Sequence, residues 1–329
     1  MERYADLVLE GGGVKGIALV GAIEVLEVLE EHGYRFKRVA GTSAGAIVGA
    51  LVAAGAPAAK LVDIIGSVQY PDFRDGSRLT RYTAGKAAGI LARNGIYLGE
   101  HLRSWLQSQL DEYGVRTFAD LPYTDDERPP APERSFRLVV TASDISRGRL
   151  RYLPWDYDDF GRDRGAQHVV EAVRASMSIP FFYRPVRWDT ADGKKAWLVD
   201  GGMLSNFPIA AFDAPPGTVP RWPTLGIKLS AHPDAVQGTG YPIKGPVSMS
   251  RAMLKTMTGF YDQMHIESPD AQARTIFVDT GTIRATDFNL TDDDRDFLYH
   301  SGRAAAEKFL DGSPTRPPWD FDAYIAAHR

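Results

Sequence analysis

Twice within the first 55 residues, an apolar run stops at a cluster of small residues and gives way to a helical pattern. Leu7-Val8-Leu9 ends in Gly11-Gly12-Gly13. Ile17, Val20, Ile23, Leu26 and Leu29 then recur at helical spacing up to His32, with Gly33 as the stop. Phe36 to Ala40 repeats the pattern and ends in Gly41-Thr42-Ser43-Ala44-Gly45. Ala46 to Ala54 has no polar face, so it reads as a buried helix, stopped by Gly55 and Pro57. Strand, helix, strand, helix in so short a span predicts parallel strands joined by crossover helices, an α/β chain.

The pattern continues less regularly. A helix is expected over Glu100 to Tyr113, with Leu102, Trp105, Leu106 and Leu110 on one side. Strands are expected over Phe136 to Ala142, Leu150 to Pro154, Trp197 to Val199, Thr224 to Leu229 and Thr275 to Asp279. Val169 to Ala175 reads as a short helix. Ser248 to His265 and Asp292 to Leu310 read as long ones, the second capped by Thr291 and stopped by Gly312 and Pro314. Thr124 to Ser135 is a polar, proline-rich surface loop. No fixed repeat and no clean linker interrupts residues 1–329, so one domain is expected.

Composition removes several classes of function. Apolar residues make up 44% and charged residues 24%, ordinary for a globular protein. A net charge of −4 argues against a dedicated nucleic-acid binder. Without cysteine there is no disulfide, cysteine nucleophile, cysteine-ligated zinc or iron–sulfur cluster. The start, MERYADLVLEGGG, lacks the layout of a secretory signal. The longest apolar-rich run, Ala44 to Pro57, is too short to cross a bilayer and contains three glycines. A soluble cytoplasmic protein is expected, one that could still work on a membrane surface.

Three motifs carry chemistry. Gly41-Thr42-Ser43-Ala44-Gly45 is a G-x-S-x-G between a strand and a helix. There the serine hydroxyl is presented at a helix N-terminus, which favours developing negative charge. The plain reading is a small-residue turn. Gly11-Gly12-Gly13-Val14-Lys15-Gly16 lets backbone N–H groups approach a ligand, as an oxyanion hole requires. Gly11, Gly13 and Gly16 also spell the dinucleotide fingerprint G-x-G-x-x-G, which expects an acidic residue at the end of the next strand. Glu30 and Glu31 stand at about that distance but still on the helix. A tight turn is the third reading. Asp200-Gly201-Gly202 follows a short apolar strand. Asp200 either makes an Asx turn or, if its strand is parallel to that of Ser43, faces the same crevice and accepts the serine proton. None of the seven histidines sits in a motif-like setting, although Ser43, Asp200 and His232 satisfy the chain order of a hydrolase triad.

Taken in order, EGGGVKG at residues 10–16, GTSAG at 41–45 and DGG at 200–202 resemble the patatin-like phospholipase family. Ala175-Ser176-Met177-Ser178-Ile179-Pro180 and Asn206-Phe207-Pro208 resemble it more weakly. The likeness covers roughly residues 5–210 and extends toward the last long helix. It implies a three-layer α/β/α sandwich with a mainly parallel central sheet. It also implies a Ser–Asp dyad without histidine: Ser43 as nucleophile in an elbow flanked by Gly41 and Gly45, and Asp200 as base, followed by Gly201 and Gly202. Gly11, Gly12 and Gly13 would form the oxyanion loop with Lys15 and Gly16, and the Val14 N–H would share the role. Glu10 departs from the family's usual Asp but lies outside the hole-forming glycines. The implied activity is hydrolysis of phospholipid or other acylglycerol esters through an acyl-serine, with no cofactor or metal. A non-catalytic lipid- or protein-binding module on the same fold is the alternative.

The stretch Ser67 to Gly99 holds Arg74, Arg78, Arg81, Lys86 and Arg93 against Asp72 and Asp75, with interleaved aromatics. It reads as a lid or membrane-facing surface, or else as an ordinary solvated insertion. The expected partner is a lipid or acyl-ester substrate with peripheral membrane association and no nucleic acid. The oligomeric state is not readable.

Overall fold

A computed structural model describes residues 3–28, 33–76, 94–215, 217–229, 249, 268–314 and 316–327. Residues 77–93 of the 67–99 stretch, the expected 248–265 helix apart from residue 249, Glu30, Glu31 and histidines 32, 232, 265 and 328 lie outside the described residues. The described strands are β1 (Arg3–Leu9), β2 (Tyr34–Gly41), β3 (Gly95–Tyr97), β4 (Leu138–Asp144) and β5 (Arg149–Leu153). They continue with β6 (Phe181–Tyr183), β7 (Val186–Asp189), β8 (Lys195–Asp200), β9 (Thr224–Lys228) and β10 (Thr275–Phe277). The helices are α1 (Gly16–Val28), α2 (Ala44–Ala54), α3 (Ala58–Gly66) and α4 (Glu100–Asp111). After them come α5 (Val169–Ser176), α6 (Pro269–Ala273), α7 (Asp292–Asp311) and α8 (Phe321–Ala327).

The main sheet runs β10-β9-β1-β2-β4-β8-β7, with β5 also on β4. The ladders joining β10, β9, β1, β2 and β4 are all parallel, the outcome the strand–helix alternation predicts. Successive residues of one strand serve two different cores, as the period of two demands. Leu7, Leu9, Val39, Leu138 and Val140 belong to the large cluster shared with α1 and α2. Val8, Ala40 and Val139 face the opposite way, onto Trp155, Phe207, Ile209, Phe212 and Ala271 of α6. An α/β sandwich results. Helix α2 is buried at every residue from Ala44 to Ala53, in keeping with its lack of a polar face.

The antiparallel part of the sheet departs from the sequence reading and sets the geometry of the site. Val140 pairs with Gly41 of β2 and with Leu153 of β5, so β2 and β5 occupy opposite flanks of β4. Ala142 pairs with Arg151 of β5 and with Asp200 of β8, so β8 also lies opposite β5. Strands β2 and β8 therefore share one flank of β4 and meet end to end. The sequence argument brought Asp200 to the crevice by a parallel strand; β8 is antiparallel. It reaches the same place because it enters the sheet beyond the tip of β2 and stops on meeting it.

Candidate active site

Strand β2 ends at Gly41, and the chain turns sharply into α2. Ser43 takes φ +53° and ψ −120°, a conformation non-glycine residues hold at a cost of about 1–3 kcal/mol. Its surroundings enforce it. The Thr42 N–H donates to Leu9 O at 3.3 Å, and the Thr42 and Thr141 hydroxyls share a buried 2.6 Å hydrogen bond. The Ser43 carbonyl accepts the Ala46 and Ile47 N–H groups of α2 at 2.9 and 3.2 Å. Gly45 is required by space: a Cβ there would lie 2.4 Å from Leu9 O and 2.7 Å from Glu10 O. The Ser43 N–H, swung out of the β ladder, donates to the buried Ser176 hydroxyl at 2.8 Å. The Ser43 hydroxyl donates to Met177 Sδ at 3.3 Å and lies near enough to the Asp200 carboxyl to pull its pKa down.

Asp200 closes β8. Its N–H donates to Ser178 O at 2.9 Å, and its Oδ1 accepts the Gly202 N–H at 2.8 Å. The Asx turn and the approach to Ser43, alternatives in the sequence, occur together. Burial pushes the carboxyl up to about 6, against the pull of the Ser43 hydroxyl and the Gly202 N–H. Gly201 packs against Thr141, where a Cβ would come within 2.3 Å of Oγ1.

The glycine loop runs past Ser43 between these two turns. The Gly11 N–H donates to Asn206 O at 3.0 Å, and Asn206 Nδ2 returns a bond to Gly11 O at 2.8 Å. A Cβ on Gly11 would stand 3.1 Å from Ser43 Cβ. The Lys15 N–H turns back to Gly12 O and the Gly16 N–H to Gly13 O. The Val14 N–H is taken by Ala285 O at 3.2 Å, so its expected share in an oxyanion hole is not available in this arrangement. The Gly12 and Gly13 N–H groups have no acceptor among the described residues. Lys15 Nζ donates to Thr280 Oγ1 at 2.8 Å. Glu10 ties β1 to β9: its carboxylate accepts from Lys228 Nζ and the Leu229 N–H.

Ser43, Asp200 and the loop Gly11–Gly16, far apart in sequence, thus meet in one place. Sequence reasoning assigned no task to Ser176, Met177 or Asn206, although the blocks containing them stood out, and it gave no hint of Ala285. The described histidines lie elsewhere. His101 packs on Phe73, His300 on Tyr299, and His168 precedes α5. Strand β2 carries no acidic residue at its tip, as the dinucleotide reading would need. No described helix is long and apolar enough to cross a membrane.

Comparison with known proteins points to one family. A family model described as patatin-like phospholipase matches residues 7–213. The uncharacterized protein YqhO of Bacillus subtilis is 37% identical over 314 residues, covering 93% of this chain and 98% of that protein. Lysophospholipase nte1 of Emericella nidulans is 27% identical over 215 residues, 63% of this chain but only 11% of that much longer protein. Among solved structures, VipD from Legionella pneumophila superimposes with a TM-score of 0.51 at 16% identity, over 93% of this chain and 66% of that one. That last likeness is one of fold.

Proposed function

We propose, from the premise that this chain belongs to the patatin-like phospholipase family of lipid hydrolases, that it cleaves carboxylic esters of lipids through an acyl-Ser43 intermediate with Asp200 as base. The observation that supports this most is the end-to-end meeting of β2 and β8, which sets a buried carboxyl against a strained serine. Asp200 takes the Ser43 proton as Oγ attacks the ester carbonyl carbon. The Gly12 and Gly13 N–H groups receive the charge that forms on the carbonyl oxygen. The carbon–oxygen bond to the alcohol breaks, and the proton on Asp200 leaves with the alcohol. Water then attacks the acyl-serine, giving a proton to Asp200. The fatty acid departs, and Ser43 regains its proton.

A carboxyl near 6 suits the task, since a base is most useful when its pKa lies close to the working pH. The substrate class we favour is phospholipid or lysophospholipid, in line with the name of the nte1 relative. Leu98, which directly follows β3, and Phe181, the first residue of β6, are large apolar side chains more than a third exposed. Phe181 follows the Ser176–Pro180 block directly, so a lipid interface would lie beside the site. A binding module on the same fold would need neither the strained serine nor the buried carboxyl.

The test is hydrolysis of short acyl esters and of labelled phospholipid and lysophospholipid vesicles by wild type, Ser43→Ala and Asp200→Asn, each confirmed folded. Activity confined to wild type is the expected result. Activity that survives Ser43→Ala removes the nucleophile assignment, and a silent wild type that binds vesicles favours the binding module.

A further inference from the structure

The turn that follows α5 touches both halves of the dyad. Ser176, the last residue of α5, is fully buried and accepts the Ser43 N–H at 2.8 Å. Met177 Sδ lies 3.3 Å from the Ser43 hydroxyl. The Ser178 carbonyl accepts the Asp200 N–H at 2.9 Å. Three consecutive residues therefore contact the nucleophile's backbone, the nucleophile's oxygen and the base's backbone.

The turn is itself anchored. Buried Arg174 donates from Nη1 to Ser178 Oγ at 2.6 Å, and that hydroxyl donates back to the Arg174 carbonyl at 2.9 Å. The same guanidinium reaches Leu98 O at 3.0 Å from Nε and Arg184 O at 3.0 Å from Nη2. It thereby fixes the turn to the ends of β3 and β6. The contact to Ser43 matters because of where it acts. The β2–β4 ladder ends at Gly41 and Val140, so no strand carbonyl is left for the Ser43 N–H. That N–H is instead taken by the Ser176 hydroxyl on α5, so the turn that holds Ser43 at φ +53° is fastened by an acceptor carried on another element.

We propose that Ser176 is a positioning residue for the acyl transfer: its buried hydroxyl accepts the Ser43 N–H and holds the nucleophile's turn at the angle that aims Oγ between the base and the glycine loop. The proposal rests on the dyad reading above. It predicts an effect on reactivity beyond any effect on stability, because a misplacement of about 1 Å can cost about 100-fold in rate.

The test uses the full chain and a fluorophosphonate, which reads nucleophile reactivity without a leaving alcohol, alongside kcat and KM on a short acyl ester. Ser176→Ala removes the acceptor, Ser176→Cys keeps the volume with a weak acceptor, and Ser176→Thr keeps the hydroxyl. Thr275→Ala deletes another fully buried hydroxyl, one bonded to Ala271 O at 2.6 Å on the distant β10. Wild type should label on Ser43. Ser176→Ala and Ser176→Cys should label and turn over about 10- to 100-fold more slowly with KM nearly unchanged. Ser176→Thr should recover most of the rate, and Thr275→Ala should lose stability at an unchanged rate per folded molecule. If Ser176→Ala is insoluble, Ser176→Cys carries the comparison. Wild-type labelling rates in the Ala or Cys variant, or equal slowing in Thr275→Ala, overturn the proposal and leave the dyad standing. A wild type that does not label on Ser43 overturns both.

Discussion

The two halves of the main sheet bring their chemistry to the same point by different routes. In the parallel half, β1 and β2 both run toward the site, and each delivers its motif at its carboxyl end: the glycine loop after Leu9 and the elbow after Gly41. This is the general rule for ligands at open α/β sheets. In the antiparallel half, β8 arrives from the opposite direction and stops at Asp200, against the tip of β2. A parallel strand places a residue by where it ends. The antiparallel one places it by register, because Asp200 must sit opposite Ala142 to face Ser43.

The largest expected effects fall on the two residues that join the halves. Ser43→Ala and Asp200→Asn should each lower kcat/KM by about 10⁴-fold or more, measured on a short acyl ester. A modest loss in Asp200→Asn alone would break the comparison, since β8 would then be a structural element only. Next comes the glycine loop. A Cβ on Gly13, at φ +55°, would meet the backbone Ala285 O at 2.0 Å, so Gly13→Ala must shift the loop. A loss of about 100-fold in kcat is expected, the size of one oxyanion donor.

The pH profile sharpens the contrast further. Asp200 must be ionised to act and is held up to about 6 by burial. Below that, kcat/KM should fall tenfold per pH unit, with a plateau above. The same shift has a stability sign. Between 3.8 and about 6 the folded protein holds a proton that the unfolded chain releases, so stability falls as pH rises through this window. Asp200→Asn, which keeps an oxygen for the Gly202 N–H, should therefore be more stable than wild type at pH 7, by roughly 2–3 kcal/mol in urea unfolding. A less stable variant would contradict a carboxylate destabilised by burial. The smallest effect belongs to Lys15, which reaches Thr280. Lys15→Met should change kcat by less than about fivefold, the worth of one ordinary hydrogen bond.

What could be read in the sequence follows the same division. The parallel half was legible because its strands are short apolar runs cut off by glycines, and its helices, α1 and α2, have local patterns. The antiparallel half was legible in content but not in direction. Asp200-Gly201-Gly202 looks the same at the end of either kind of strand, and only pairing with Ala142 and Val199's pairing with Ser143 fix the direction. Strands β3, β6 and β7 escaped notice because three or four residues carry no period. Asn206 clamps Gly11 across 195 positions, and Ser176 meets Ser43 across 133. Contacts of that range leave no local signal, although both residues lie in blocks that were singled out. The Val14 N–H was expected to face the site, and a carbonyl from Ala285, far along the chain, removes it.

The central claim is that Asp200 activates Ser43 from the neighbouring, oppositely directed strand. Its most direct test is the rate of Ser43 phosphonylation against pH, with the adduct located by mass in the tryptic peptide 39–60. The account predicts a rate that rises with an apparent pKa of about 6 in wild type and a slow rate without that inflection in Asp200→Asn. Labelling outside residues 39–60, or an Asp200→Asn profile equal to wild type, would contradict it.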